Sequence, residues 1–124
     1  MSTIMIVGAT RGIGLELTKQ YANEGNQVIA CARDTANASL LNEIASGSEN
    51  IKIEQLDIAD AGSIESASSR IGEEAIDSVI IVAGWVGGMP DNQTIDNIDI
   101  DEWHNTLNIN TIGPLLVAKA FKSN

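Results

Sequence analysis

Aromatic residues are scarce in this chain: two Trp, one Tyr and one Phe among 124 residues. Aliphatic side chains must therefore fill any core. A single cysteine, Cys31, excludes an internal disulfide. One histidine, His104, stands far from Cys31 and leaves no credible metal-ligand set. Basic residues are also few, seven Lys+Arg against 17 Asp+Glu, for a net charge of −10. That excess of acid opposes wrapping of DNA or RNA, because a phosphate backbone would be repelled at long range. No apolar run approaches the length of a membrane span. The first residues read as a strand, not as a signal peptide. A cytoplasmic protein with no membrane partner is the expectation. The acids Asp91, Asp96, Asp99, Asp101 and Glu102 crowd one short stretch. A solvated, solubilising loop is the preferred reading there, ahead of an acidic partner-binding patch.

What is present describes a folded chain. Hydrophobic residues make up 44% and charged residues 19%, too apolar for a disordered segment. The length suits one domain, residues 1–124. Short runs rich in Ile and Val occur at Thr3–Val7, Gln27–Ala32, Ile51–Asp57 and Asp77–Ala83, and each reads as a buried strand. Amphipathic segments separate them. Ile13, Leu17 and Tyr21 form one helical face. Leu40, Leu41, Ile44 and Ala45 form a second, and Ile64, Ala67, Ser68 and Ile71 a third, with Asp60 as its N-cap. Gly25 and Gly47 stand where helix C-caps are expected. A last helix follows the longer loop Gly84–Ile98. Asp99 caps it, with Glu102 placed to complete a capping box. Its apolar face is expected to run through Trp103, Leu107, Asn110, Pro114, Val117 and Phe121. Asn110 then sits as a polar residue in need of a partner. Alternation of strand and helix implies a parallel α/β sheet of Rossmann type, doubly wound, about four strands in the order 3-2-1-4 with flanking helices.

The first strand runs into Gly8-Ala9-Thr10-Arg11-Gly12-Ile13-Gly14, and a helix follows. Strand, then glycines, then helix is the context that gives a glycine motif meaning. Gly8 can take the tight turn, Gly12 removes a Cβ where a pyrophosphate approaches the backbone, and Gly14 lets helix and strand pack closely. The helix N-terminus offers free N–H groups and a positive dipole end to phosphate. Tight strand–helix packing alone is the weaker explanation for three glycines in seven residues.

The spacing Gly-x-x-x-Gly-x-Gly, with Ile13 inside it, resembles the fingerprint of the short-chain dehydrogenase/reductase family. Further matches follow in family order: Cys31-Ala32-Arg33-Asp34, Leu56-Asp57-Ile58, Ala83-Gly84 and Asn108-Ile109-Asn110-Thr111-Ile112-Gly113-Pro114. The resemblance implies a dinucleotide-binding site at Gly8, Thr10, Arg11, Gly12, Ile13, Gly14, Arg33, Asp57, Ile58, Ala83 and Gly84. Arg11 and Arg33 occupy the edge that faces the adenosine ribose, and family members basic at both places usually prefer NADP(H) to NAD(H). Guanidinium pairs bidentately with a 2′-phosphate. Read as ordinary surface charges, they would be an odd coincidence among so few basic residues. Asp34 would weaken phosphate binding if it pointed inward. Asp57 contacts the adenine amino group in the family; it can also simply begin the next turn.

Two departures stand out. The family usually has Asn-Asn-Ala-Gly at the fourth strand, where this chain has Ile81-Val82-Ala83-Gly84. The family's catalytic Tyr, with a Lys four residues on and a preceding Ser, is not encoded here. The one tyrosine, Tyr21, is followed four positions later by Gly25, and reads as core packing. In the family the residue matching Asn110 holds a water that connects to the catalytic Lys. Here it stands as a residual catalytic position, or as a polar residue at a kink made by Pro114.

The resemblance thus implies the NADP(H)-binding portion of an oxidoreductase that transfers hydride between carbonyl and alcohol, inactive alone. A non-catalytic dinucleotide-binding or redox-sensing module acting through a partner is the alternative. A complete family member is about twice as long and adds strands beyond the fourth. Without them the fourth strand is an apolar edge. Homo-oligomerisation through that strand or the last helix is expected.

Overall fold

The computed structural model describes residues 1–124. Four parallel strands, β1 (Thr3–Val7), β2 (Gln27–Ala32), β3 (Ile51–Gln55) and β4 (Ser78–Ile81), lie in the order β3-β2-β1-β4. The helices are α1 (Gly12–Asn23), α2 (Ser39–Ser46), α3 (Ala61–Ile71), α4 (Ile100–Leu107) and α5 (Gly113–Phe121). A π turn, Asn108–Ile112, joins the last two, and a 3-10 turn, Pro90–Gln93, lies in the long loop.

The first two strands match the expected ranges to the residue. The other two are shorter than expected, because their partners run out. Val7 pairs with Ile81 at the end of β1, and Ala32 pairs with Gln55 at the end of β2. Past those pairs regular pairing stops, and only isolated bonds to the last residues remain, such as Leu56 N–H to the Ala32 carbonyl at 3.0 Å and Val82 and Ala83 N–H to the Val7 carbonyl.

The strands alternate faces with a period of two. Met5, Val7, Ile29 and Cys31 pack with Ile64, Ala67 and Ile71 of α3 and Val117 and Phe121 of α5. Ile4, Ile6, Val28, Ala30 and Ala32 pack with Leu15 and Ala22 of α1 and Leu41 of α2. Both faces are covered, which is why β1 and β2 carry continuous apolar runs. β4 lies at the edge, as the expected order places it, but it is less buried than a buried strand: Val79 is 38% exposed.

Several helix faces turn out rotated. In α1 the buried residues are Gly14, Leu15, Thr18 and Ala22. Leu17 and Tyr21 pack only partly against the core, and Ile13 is 71% exposed. In α2 Leu41 is buried and Leu40 exposed, while the α3 stripe packs as expected.

The last helix shows the largest correction. Only Val117 and Phe121 of its expected face are buried; Trp103 is 55% and Leu107 49% exposed, and Asn110 is exposed too. Regular helical spacing does not hold across Asn108–Ile112, where Gly113 N–H reaches back five residues to the Asn108 carbonyl. The wider turn rotates α4 relative to α5. Gly113 makes this packing possible, since a Cβ there would run into the Ile58 carbonyl oxygen.

Capping by Asp60 and Asp99 is as expected, each carboxylate accepting from two backbone N–H groups of the first turn. The reciprocal half of the capping box is not formed, because the Glu102 carboxylate binds elsewhere, as described below. Gly25 follows α1 with φ +87°, whereas Gly47 ends α2 without a left-handed turn.

Candidate functional site

The carboxyl ends of the four strands open into one cleft of about 790 Å³. Such a crevice lies where strand order reverses, here between β1 and β4. Gly8, Thr10, Arg11, Gly12, Ile13, Arg33, Asp57, Ile58, Ala83 and Gly84 all line it. Gly14 does not. It is buried below the turn, where a Cβ would overlap the Gly8 carbonyl oxygen.

The turn after β1 is held by Gly8 and Ala9, whose N–H groups donate to the Cys31 carbonyl at 3.3 and 3.1 Å. A Cβ on Gly8 would lie 2.7 Å from the Ala83 nitrogen, so glycine lets the turn pass against the end of β4. Gly12 is different. It has φ +55°, and a Cβ there would meet nothing within 4 Å. The space beside it is open, at the start of α1. Arg11 is the N-cap of that helix, but its side chain caps nothing, and no acid lies in the first turn. The first N–H groups of α1 are thus left for an outside acceptor.

α2 begins the same way. Its N-cap is Ala38, with no side-chain cap, and Asn37, Ala38, Ser39 and Leu40 line the cleft beside Arg33. Both helices that start at the cleft lack a capping side chain; α3 and α4, which start outside it, are capped by aspartate. The sequence reading missed the α2 start, although an Ala where Ser, Thr, Asp or Asn is usual was a signal.

Arg33 is exposed, and its carbonyl accepts from Gln55 Nε2 at 3.1 Å. The Asp34 carboxylate is engaged by Asn37, which donates through Nδ2 (2.7 Å) and its backbone N–H (3.3 Å). These bonds, with a smaller contribution from the Arg33 charge, hold the Asp34 carboxyl below its usual range. Asp57 begins a turn of its own: Oδ1 accepts from Ala59 N–H at 2.9 Å, and its N–H donates to Ser63 Oγ at 2.8 Å.

Asn110 lies outside the cleft lining and grips the backbone of Trp85, which is part of that lining. Trp85 N–H donates to Asn110 Oδ1 at 2.8 Å, and Asn110 Nδ2 donates to the Trp85 carbonyl at 2.7 Å. The partner this residue required is therefore the loop after β4. Asn108 acts likewise on the far side, donating from Nδ2 to the Ala59 carbonyl at 2.6 Å. Cys31 is buried, and burial first, then the nearby Glu54 charge, pushes its thiol up to about 12 against a partial offset from Arg70. It is unreactive at neutral pH.

The model of the family described as short chain dehydrogenase matches residues 2–124. The chain belongs to that family. An uncharacterized oxidoreductase of Schizosaccharomyces pombe is 34% identical over 119 residues, covering 94% of this chain and 46% of that one. Among solved structures, a carbonyl reductase from Pseudomonas aeruginosa in complex with NADP is 32% identical with a TM-score of 0.88, covering 98% of this chain and 55% of that one. An NADPH-bound carbonyl reductase from chicken fatty liver is 30% identical with a TM-score of 0.81, covering 98% and 47%. The chain thus spans about half the length of these short-chain dehydrogenase relatives. Its cleft fits a dinucleotide of the kind the two reductases carry: an unfilled space at Gly12, an uncapped helix start, and Arg11 and Arg33 in the lining.

Proposed function

We propose that this chain is the NADP(H)-binding unit, residues 1–124, of a short-chain dehydrogenase-type oxidoreductase. The observation that carries the reading is the pairing of Arg11 and Arg33 with two uncapped helix starts in one cleft of an otherwise acidic protein. Pyrophosphate would lie over Gly12 at the start of α1. The 2′-phosphate would lie between Arg33 and the start of α2, where Ser39 adds a hydroxyl. Asp34 is turned to Asn37 and so competes less for Arg33. Asp57 and Ile58 border the adenine, and Ala83 and Gly84 the other end. Bound there, the cofactor supplies hydride exchange with a carbonyl or alcohol.

The chain alone is inactive in this reading. Its one tyrosine, Tyr21, packs partly into the core on α1, with Gly25 where the family has lysine. The same observation favours a second reading, a dinucleotide-binding or redox-sensing module that acts through a partner. A Tyr-x-x-x-Lys encoded just past codon 124 decides for the first. A cytoplasmic location and self-association belong to both. No helix is long and apolar enough to cross a membrane.

The test is a titration of NADPH and NADH against the wild type and Arg33→Asp. The wild type is expected to bind NADPH more tightly, with the order reversed in the variant, and to show no turnover of carbonyl compounds. Equal or tighter NADH binding by the wild type overturns the preference. Binding of neither overturns the site, and robust turnover overturns the inactivity.

A further inference from the structure

Trp85 leaves β4 at the end of the cleft away from Arg33, with β1 between the two strands that carry them. It is held at three points. Asn110 binds both its N–H and its carbonyl, and its indole N–H donates to Glu102 Oε1. Glu102 is itself fixed in the first turn of α4, where its N–H donates to Asp99 Oδ1 at 3.3 Å. Its Oε1 also accepts from Asn105 Nδ2 at 3.4 Å.

The backbone is held twice and the indole once, although this residue packs little. Trp85 is 41% exposed, and it belongs to neither core cluster. With its one polar group bound to Glu102, the rest of the indole is apolar surface. Its companions in that part of the lining, Val82, Ala83 and Ile109, are apolar as well, whereas Arg11 and Arg33 serve the phosphate-facing part. A flat heteroaromatic ring suits such a surface, and a phosphate does not.

We infer that Trp85 is a contact for the nicotinamide half of the dinucleotide, and that Glu102 is the positioning residue that sets its indole. This rests on the dinucleotide reading above. It also explains why Glu102 forsakes the capping box: the carboxylate orients a ring in place of closing its own helix start. A carboxamide oxygen can accept the same indole N–H, so glutamine should serve where alanine fails.

The experiment uses the Trp103→Phe background, in which Trp85 is the sole indole and its fluorescence reports on the cleft. Two ligands are titrated: NADPH, and adenosine 2′,5′-bisphosphate, which carries the adenine half alone. Glu102→Ala is expected to weaken NADPH by about three- to tenfold, the scale of one aromatic contact. It should leave adenosine 2′,5′-bisphosphate unchanged, with Glu102→Gln restoring NADPH affinity. Trp85→Ala, which has no indole left in this background and is titrated by calorimetry instead, should match Glu102→Ala, and circular dichroism melts check that each variant is folded. Equal loss for both ligands, no loss for either, or failure of the glutamine to restore affinity overturns the inference. A wild type that binds the adenine half as tightly as NADPH also overturns it, while the adenine site stands. A wild type that binds neither ligand sinks the dinucleotide reading itself.

Discussion

Gly12 and Gly14 stand two residues apart in the same motif, yet their surroundings are opposite. Gly14 is buried, with the Gly8 carbonyl where its Cβ would be. Gly12 borders open space at φ +55°. Gly14→Ala is therefore expected to cost about 3 kcal/mol or more of stability through overpacking. Gly12→Ala should cost only about 1 kcal/mol of backbone strain, yet abolish NADPH binding. Denaturant melts beside cofactor titrations check this, and equal stability losses would contradict it. The motif's place at the turn was readable because the glycine spacing and the flanking strand and helix are local. The fate of Ile13 was not. It shares helical spacing with Leu17 and Tyr21, but the sheet lies under Gly14, Leu15 and Thr18, and Ile13 faces the cleft.

Among the helices, those that start at the cleft lack the side-chain caps found on α3 and α4, which start outside it. Asp60 and Asp99 cap α3 and α4 by accepting from their first-turn N–H groups. α1 has no such acceptor. Arg11 sits at its N-cap with extended backbone, a conformation that an aspartate cap shares. Arg11→Asp should thus raise stability by about 0.5–1 kcal/mol and lower NADPH affinity by at least about tenfold, by losing a cation and placing an anion beside phosphate. Tighter NADPH binding by the variant, or lost stability, would refute this account of α1. The aspartate caps were legible because each acts within three residues of itself. The π turn was not. It arises where Asn108 is bound to Ala59, Asn110 to Trp85, and Gly113 packs on Ile58, contacts spanning 49 and 25 residues for the two asparagines. A helical face drawn through it on regular spacing therefore came out wrong for Trp103 and Leu107.

For the molecule as a whole, the two sheet edges are unlike. On β3, Arg70 Nε meets Glu54 at 3.0 Å and Nη2 donates to the Gln55 carbonyl at 2.6 Å, while Lys52 lies 3.3 Å from Glu74. These partly exposed pairs contribute little energy, but charge and a satisfied carbonyl blunt an edge. β4 has no charged side chain between Ser78 and Ile81, and α4 exposes Ile100, Trp103 and Leu107. The expected consequence is self-association through β4 or the last helix. Sedimentation at micromolar concentration should show a dimer, and Val79→Lys should weaken it if the strand is the contact. A wild-type monomer would refute the idea. The net charge of −10 works against this association at low salt, so the dimer should strengthen as salt is raised.

Strand number, parallel order and the glycine turn could all be read without coordinates. Each depends on residues within a few positions: continuous apolar runs rich in Ile and Val, and glycines at a strand end. The length that first looked sufficient for one domain is now set against relatives about twice as long. Long-range packing settled the rest. It decided which face of α1 and of the last helix is buried, that Asn110 holds Trp85, and that Glu102 turns from its own helix to an indole 17 residues away. Those outcomes depend on which surfaces the sheet brings together, and periodicity along one segment carries no information about a partner elsewhere in the chain.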